Sequence, residues 1–379
     1  MPVTLVLRVF FFICTRTLLD ANLPERSVET HSLAVACPVQ HLITGDSGET
    51  TLTMETQLGE PGKLQIFDLL SSATLINRIT SRHAEVAMFH VRGPKGGSVV
   101  AVKHVLVNGL PAKKSIQNEF RILCELENAL GEVLSRSIPR PLLLLENEGT
   151  IVFTFVPGVP FDRLLRQYAN VVTAPFNIVG AKALDRHARR IGNWLRAFHN
   201  ATAASDQPFD TSRFSEELDS LIAKCALQGL RSSALNKVRD EALRQSANTA
   251  GSLMPAAITH GDFLPQNILL EEGEPGVIDF ASATRSAPVY VDLAHFVGYL
   301  LILSRKPLYH EKTIESVIGE FCEGYRTPLD LGVFRLYVLR AILRITVDSS
   351  NAQTSESTET TVQLLSSILR DALTGLISR

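Results

Sequence analysis

Apolar and polar residues alternate in short runs between about Ser71 and Phe155, the period of half-buried strands. HAEVAMFHV (83–91) and SVVAVKHVLV (98–107) flank Arg92-Gly93-Pro94-Lys95-Gly96-Gly97. Two β-branched runs joined by a Gly/Pro turn predict an antiparallel hairpin. From Lys114 to Leu130 the period lengthens. Ile116, Phe120, Leu123, Leu126 or Glu127, and Leu130 recur near helical spacing, with acidic residues on the other faces. Pro139 and Pro141 end that helix, and LLLLENEGTIVFTFV then predicts a second hairpin.

After Pro157-Gly158 the pattern is helical. Leu184, Ala188, Ile191, Leu195 and Phe198 form an apolar stripe, with Arg186, Arg189, Arg190 and Arg196 on other faces. Phe214 to Leu227 and Leu235 to Gln245 predict two further helices. LAHFVGYLLIL (293–303) predicts a buried one, too short to span a bilayer. Phe334, Val338, Ala341, Ile342 and Ile345 mark a late helix and Val362 to Leu376 a last one, after a polar linker over Ser349 to Thr361. No internal repeat is present. The pattern divides the chain into a leader (1–60), a strand-rich N-terminal lobe with one inserted helix (61–157), and a mainly helical C-terminal lobe (158–379). The fold class is α+β.

Composition narrows the function classes. The chain has 379 residues, 45% hydrophobic and 20% charged, ordinary for a globular protein long enough to bury two cores. A formal net charge of −2 supplies no global field for nucleic acid or an anionic membrane. Five scattered cysteines form no CxxC pair, which excludes a disulfide framework or zinc ribbon and fits a reducing, cytoplasmic compartment. Leu5 to Cys14 is apolar but interrupted by Arg8 and about half the roughly 20 residues a spanning helix needs. It suits peripheral membrane contact or an extended leader better than a signal peptide, whose charges precede the apolar run.

The chemistry concentrates in ITHGDFLPQNILLEEGEPGVIDF (258–280), which places His260, Asp262, Asn267 and Asp279 in one segment. Polar residues on a loop between apolar runs are held by rigid flanks yet remain reachable. A carboxylate, an amide five residues on, and a second carboxylate after an apolar strand meet the needs of phosphoryl transfer from a metal-bound nucleotide. One carboxylate orients or receives a hydroxyl proton, and the amide and the other carboxylate are hard oxygen ligands for Mg²⁺. Asp and Asn also favour ordinary turns, but the full constellation is far more specific than HGD alone.

HGDxxxxN followed by IDF resembles the catalytic core of the aminoglycoside phosphotransferase and choline kinase-like families, a branch of the protein kinase-like fold. The resemblance implies a two-lobed fold with ATP in the cleft, Asp262 as catalytic base, Asn267 and Asp279 as Mg²⁺ ligands, and His260 ordering the catalytic loop. Lys103, ending VVAVK, resembles the strand lysine that holds the α- and β-phosphates. Glu119 in NEFRIL resembles its ion-pair partner, with Glu125 and Glu127 as competitors. Phe155 and Val156, in FTFVPG, resemble the segment between lobes whose backbone meets adenine. Asp292 in VYVDLAHF matches an acidic residue opening the helix behind the loop, where it could cap that helix.

Two departures bear on the acceptor. No GxGxxG precedes Lys103, so Asn77 to His83 is the candidate phosphate lid. Ala281 replaces the glycine of Asp-Phe-Gly, and only about a dozen residues separate Asp279 from Asp292. That leaves little room for a peptide platform and favours a small-molecule hydroxyl acceptor: an aminoglycoside, sugar, amino alcohol or related metabolite. The alternative from another class is a nucleotide-binding pseudokinase acting as an interaction module. The residues specify neither the acceptor, nor ATP over GTP, nor an oligomeric state.

Overall fold

The computed structural model describes residues 73–369 apart from 81–83, 94–95, 108–109, 272 and 349–354. The leader, with its apolar run Leu5 to Cys14, lies outside the described residues, as does the expected last helix beyond Leu369.

Strands Thr74–Thr80 (β1), Ala84–Gly93 (β2) and Gly96–Val107 (β3) run antiparallel, and Leu110–Pro111 (β4) folds back on the end of β3. The register closes at Gly93 opposite Gly96, where the Gly/Pro turn predicts it. Alternate β2 residues Ala87, Phe89 and Val91 form a core cluster against Leu75, Val100 and Val102, as a period of two requires. The chain then runs through helices Lys113–Ala129 (α1) and Glu132–Ser135 (α2) and strand Pro141–Leu145 (β5). It continues through a single turn at Glu146–Glu148, closed by Gly149 at φ 64°, into Thr150–Thr154 (β6). β6 pairs with β3, so these strands take the order β1-β2-β3-β6.

The described chain divides into two compact units. One holds the strands before Lys113 together with Leu145–Phe155; the other holds Lys113–Leu144 and the described residues from Val156 onward. α1, which the sequence assigns to the strand-rich lobe, groups with the helical unit: Asn118 Nδ2 donates to Ala283 O at 3.1 Å, and Arg285 pairs with Glu125.

The second unit continues with Val159–Pro160 (β7), Phe161–Tyr168 (α3), Ile178–Ala201 (α4), Ala203–Pro208 (β8), Thr211–Leu227 (α5) and Ser232–Asn248 (α6). Then come Leu253–Thr259 (β9), Ile268–Leu270 (β10), Gly276–Val277 (β11) and Thr284–Pro288 (β12). Helices Tyr290–Ser304 (α7), Glu311–Tyr325 (α8), Leu331–Asp348 (α9) and Ser355–Leu369 (α10) complete it. Two antiparallel three-stranded sheets, β11-β10-β7 and β12-β9-β8, frame the segment singled out above. The stripe of α4 is fully buried, and the Asn177 side chain caps its start by accepting from Gly180 N at 2.8 Å. α4 and α8 cross at glycines: a Cβ on Gly192 would collide with Phe321 O, and one on Gly324 with Arg189 O. α3, α8, β8 and β12 go beyond the sequence reading, and α10 begins at Ser355, inside the stretch expected to be a linker. Cys124, Cys225 and Cys322 form no disulfide. Among the described residues no helix is long and apolar enough to cross a membrane.

Candidate active site

Buried Ala256, Ala257 and Ile258 anchor β9, which delivers the chain into His260-Gly261-Asp262. Gly261 sits at φ 76°, and a Cβ there would run into the carbonyl of Ser282, so both dihedral and space demand glycine. His260 is fully buried. Its Nε2 lies 2.9 Å from Ile278 O, which only accepts, so Nε2 carries the proton. Nδ1 is then free to accept from Asp262 N at 3.3 Å. Two hydrogen bonds thereby select one tautomer and tie the loop to the chain just before Asp279.

Pro265–Asn267 forms a single turn of 3₁₀ helix that brings Asn267 back over Asp262. Asn267 Nδ2 donates to Asp262 O at 2.9 Å and to Asp262 Oδ2 at 3.1 Å, while Ile278 N donates to Asn267 O at 3.0 Å. The amide nitrogen is thus occupied, which leaves Oδ1 as the end of the amide suited to a cation. Asp279 follows β11 with an exposed side chain and a left-handed backbone, φ 69° and ψ 64°. A non-glycine residue held there is uncommon, and such positions cluster at functional sites.

Asp292 is the third residue of α7 and fully buried. The sequence suggests a cap for its own helix; α7 has no side-chain cap, and the carboxylate instead faces the loop. It accepts from His260 N and Gly261 N, each at 2.8 Å, and lies 3.0 Å from His199 Nε2. His199 Nδ1 lies 2.9 Å from the Tyr325 hydroxyl. Burial pushes the Asp292 pKa up, but the His199 hydrogen bond, the electrostatic influence of the His199 and His260 rings, and the His260 amide outweigh it. The group stays below the ordinary carboxylate value.

Aromatic rings form the bed of this loop. His260 lies 4.6 Å from Phe280 between ring centroids, Phe263 packs on Trp194 and Phe296, and Phe296 stacks on Phe321 at 4.1 Å. Trp194 Nε1 donates to Ser137 Oγ at 2.7 Å, so the bed is anchored as well as packed.

Asp262 is half-buried and its pKa is raised, by burial first and by the nearby charge of Asp279; His260, Arg344 and the Asn267 hydrogen bond oppose the shift. One turn beyond Asp292, His295 is buried with Nδ1 unpartnered, and burial together with the Arg344 charge holds its pKa down at about 3. Among the described residues no three His, Cys, Asp or Glu side chains converge as in a transition-metal centre. Asn267 and Asp279 do fit magnesium, which keeps several waters and asks for one or two protein oxygens beside substrate phosphates.

The remaining candidates fall in both units. Lys103 is buried (6% exposed) at mid-β3, opposite Val86 and Ile151. Phe155 N donates to Val99 O at 3.3 Å in the same unit. Glu119, 2% exposed, and Val156, packed where only Gly276 leaves room, belong to the other. The competitors of Glu119 have partners of their own: Glu125 pairs with Arg285, and Glu127 lies 3.8 Å from Arg140. Of the candidate lid, Asn77 to Thr80 belongs to β1, and 81–83 lie outside the described residues. His199, Tyr325 and His295 escape the sequence reading. For His199 the only signal is its place at the end of the α4 stripe, beside Phe198.

Residues 80–329 match the family described as the phosphotransferase enzyme family. Among solved structures the chain is similar to a putative fructosamine-3-kinase from Thermobifida fusca YX-ER1 (TM-score 0.51, 18% identity, covering 81% of this chain and 98% of that one). It is similar to a glucosamine kinase (TM-score 0.51, 16% identity, 78% and 94%). A thermostable mutant of aminoglycoside phosphotransferase APH(4)-Ia is comparable (TM-score 0.51, 15% identity, 80% and 97%). At such identities the likeness is one of fold. No curated protein sequence matches the chain. The family match covers β2 onward, the loop and the α7 helix behind it, and the chain therefore belongs to the phosphotransferase enzyme family, on a protein kinase-like fold.

Proposed function

We propose that the protein transfers the γ-phosphoryl group of Mg-ATP to a hydroxyl of a small molecule, such as a sugar, an amino alcohol or an aminoglycoside. The observation that carries this reading is Asp262, a half-buried carboxylate of raised pKa on a loop held by Asn267 and Asp292. A base poised above the ordinary carboxylate range is better matched to a hydroxyl proton near neutral pH. Asp262 orients the acceptor hydroxyl, whose oxygen bonds to the γ-phosphorus as the bond to the β-γ bridging oxygen breaks. The hydroxyl proton passes to Asp262 late, and ADP leaves. Asn267 and Asp279 would hold magnesium, which supplies charge neutralisation at the phosphates. Lys103 serves as the phosphate-binding cation and Glu119 as its positioning partner. Phe155 and Val156 serve as the adenine-facing backbone.

The small acceptor is supported by β12. Residues between Asp279 and α7 are taken up by the turn Phe280–Ser282 and by a strand paired to β9, Thr284 opposite Thr259 and Pro288 opposite Ala256. The names of the similar structures, a glucosamine kinase and a putative fructosamine-3-kinase, lean the same way. A metabolite screen for acceptor-dependent ADP release identifies the substrate. With it, Asp262→Ala lowers turnover by about 10²–10⁴-fold while ADP still binds, and Asp279→Ala abolishes magnesium-dependent nucleotide binding. Full phosphorylation by Asp262→Ala would remove the base from the mechanism.

A further inference from the structure

The loop between α3 and α4 is closed on itself and tied to the loop before α8. Thr173 N and Ala174 N both donate to Asn170 O, at 3.2 and 2.8 Å, and Val172 N donates to the Asn170 side chain at 2.9 Å. Val171 N donates to Leu308 O at 3.0 Å, beside a bridge between Asn170 and Tyr309. These backbone groups are satisfied internally, yet the side chains face water. Phe176 is 88% exposed, Val179 78% and Val172 71%, joined by Ile178, Leu308 and Val171. Linked through these bonds and the start of α4, they form one apolar patch of a kind that marks an interaction site.

Its rim is basic. Lys182 lies four residues after Ile178 and three after Val179, on the same exposed face of α4, with Arg186 one turn further. Lys306 and Arg305 stand just before Leu308, all three exposed. The neighbouring acids are Glu311, which pairs with Arg305, and Asp185, half-buried. The patch therefore offers a partner apolar contact and positive charge, with little free backbone to bond.

We propose that this patch docks on an anionic membrane surface, with Phe176, Val172 and Val179 entering the headgroup–acyl boundary and Lys182, Arg186 and Lys306 against lipid phosphates. The patch hangs on α3, which packs against the Pro265–Asn267 turn of the catalytic loop. Eight residues of helix span about 12 Å, so docking holds the loop within a short helix of the bilayer.

The test is sedimentation of the full chain with vesicles of phosphatidylcholine alone or mixed with phosphatidylserine. Binding is expected only to the mixed vesicles and falls with added salt. Phe176→Ser combined with Val179→Ser weakens it by about tenfold or more, with the thermal midpoint unchanged because both side chains are exposed. Lys182→Glu weakens it at low salt and less at high salt. Equal binding by the Phe176/Val179 double variant, or no binding by the unmodified chain, overturns the proposal. So does a dimer that the double variant splits, which makes the patch a contact between copies of this chain.

Discussion

Burial drives Asp262 and His295 each towards the neutral form, and Arg344 acts on both. Its cation favours the ionised carboxylate of Asp262 and disfavours a proton on His295. Arg344→Gln should therefore raise the Asp262 pKa further. Because a base works only when ionised, the acid limb of kcat/KM against pH moves to higher pH, whereas a purely structural role would lower the plateau without moving the limb. His295 makes a separate prediction for stability. The folded protein keeps it neutral down to about pH 3, whereas the unfolded chain takes up a proton near the ordinary value of 6.5. Its contribution is fully present above 6.5 and is lost as pH falls towards 3. His295→Leu should flatten that loss in urea midpoints compared at neutral and mildly acidic pH, and an undiminished slope would rule the group out. Asp292 works in a different window: its depressed pKa contributes stability above the ordinary 3.8 that disappears only below it.

At the scale of elements, the crossing of α4 and α8 decides how close the two helices lie. Alanine is the better helix former by about 1 kcal/mol, so Gly192→Ala would stabilise an isolated helix. Here the added methyl meets the Phe321 carbonyl, and the expected result is a loss of about 1–3 kcal/mol, read as a lower thermal midpoint. A gain in stability would show that the helices can separate at little cost. The crossing also explains what a sequence can convey. The α4 stripe is legible because its period is local; the glycine that meets α8 looks like any helix-weakening residue. α8 itself carries Gly319 and Gly324, which obscure a stripe of Ile314, Val317, Ile318, Phe321 and Tyr325, all buried. β12 has only five residues, and its pairing with β9 is set by tertiary contact.

For the whole molecule, legibility follows separation along the chain. His260, Asp262, Asn267 and Asp279 can be read together because twenty residues contain them, and the β2–β3 hairpin because its turn is local. The support of the loop is built from afar: Asp292 meets His199 across 93 positions, and His199 meets Tyr325 across 126. No short motif encodes such a relay, and its histidine reads as one more residue of an apolar helix. The same geometry has a cost during synthesis. β3 ends at Val107, yet the strand that completes its far side, β6, begins only at Thr150. At about 5–20 residues per second on the ribosome, the apolar edge of β3 waits several seconds for its neighbour. In that interval nascent chains on adjacent ribosomes are the competing partners, so yield depends on translation pace and on chaperones that shield that edge.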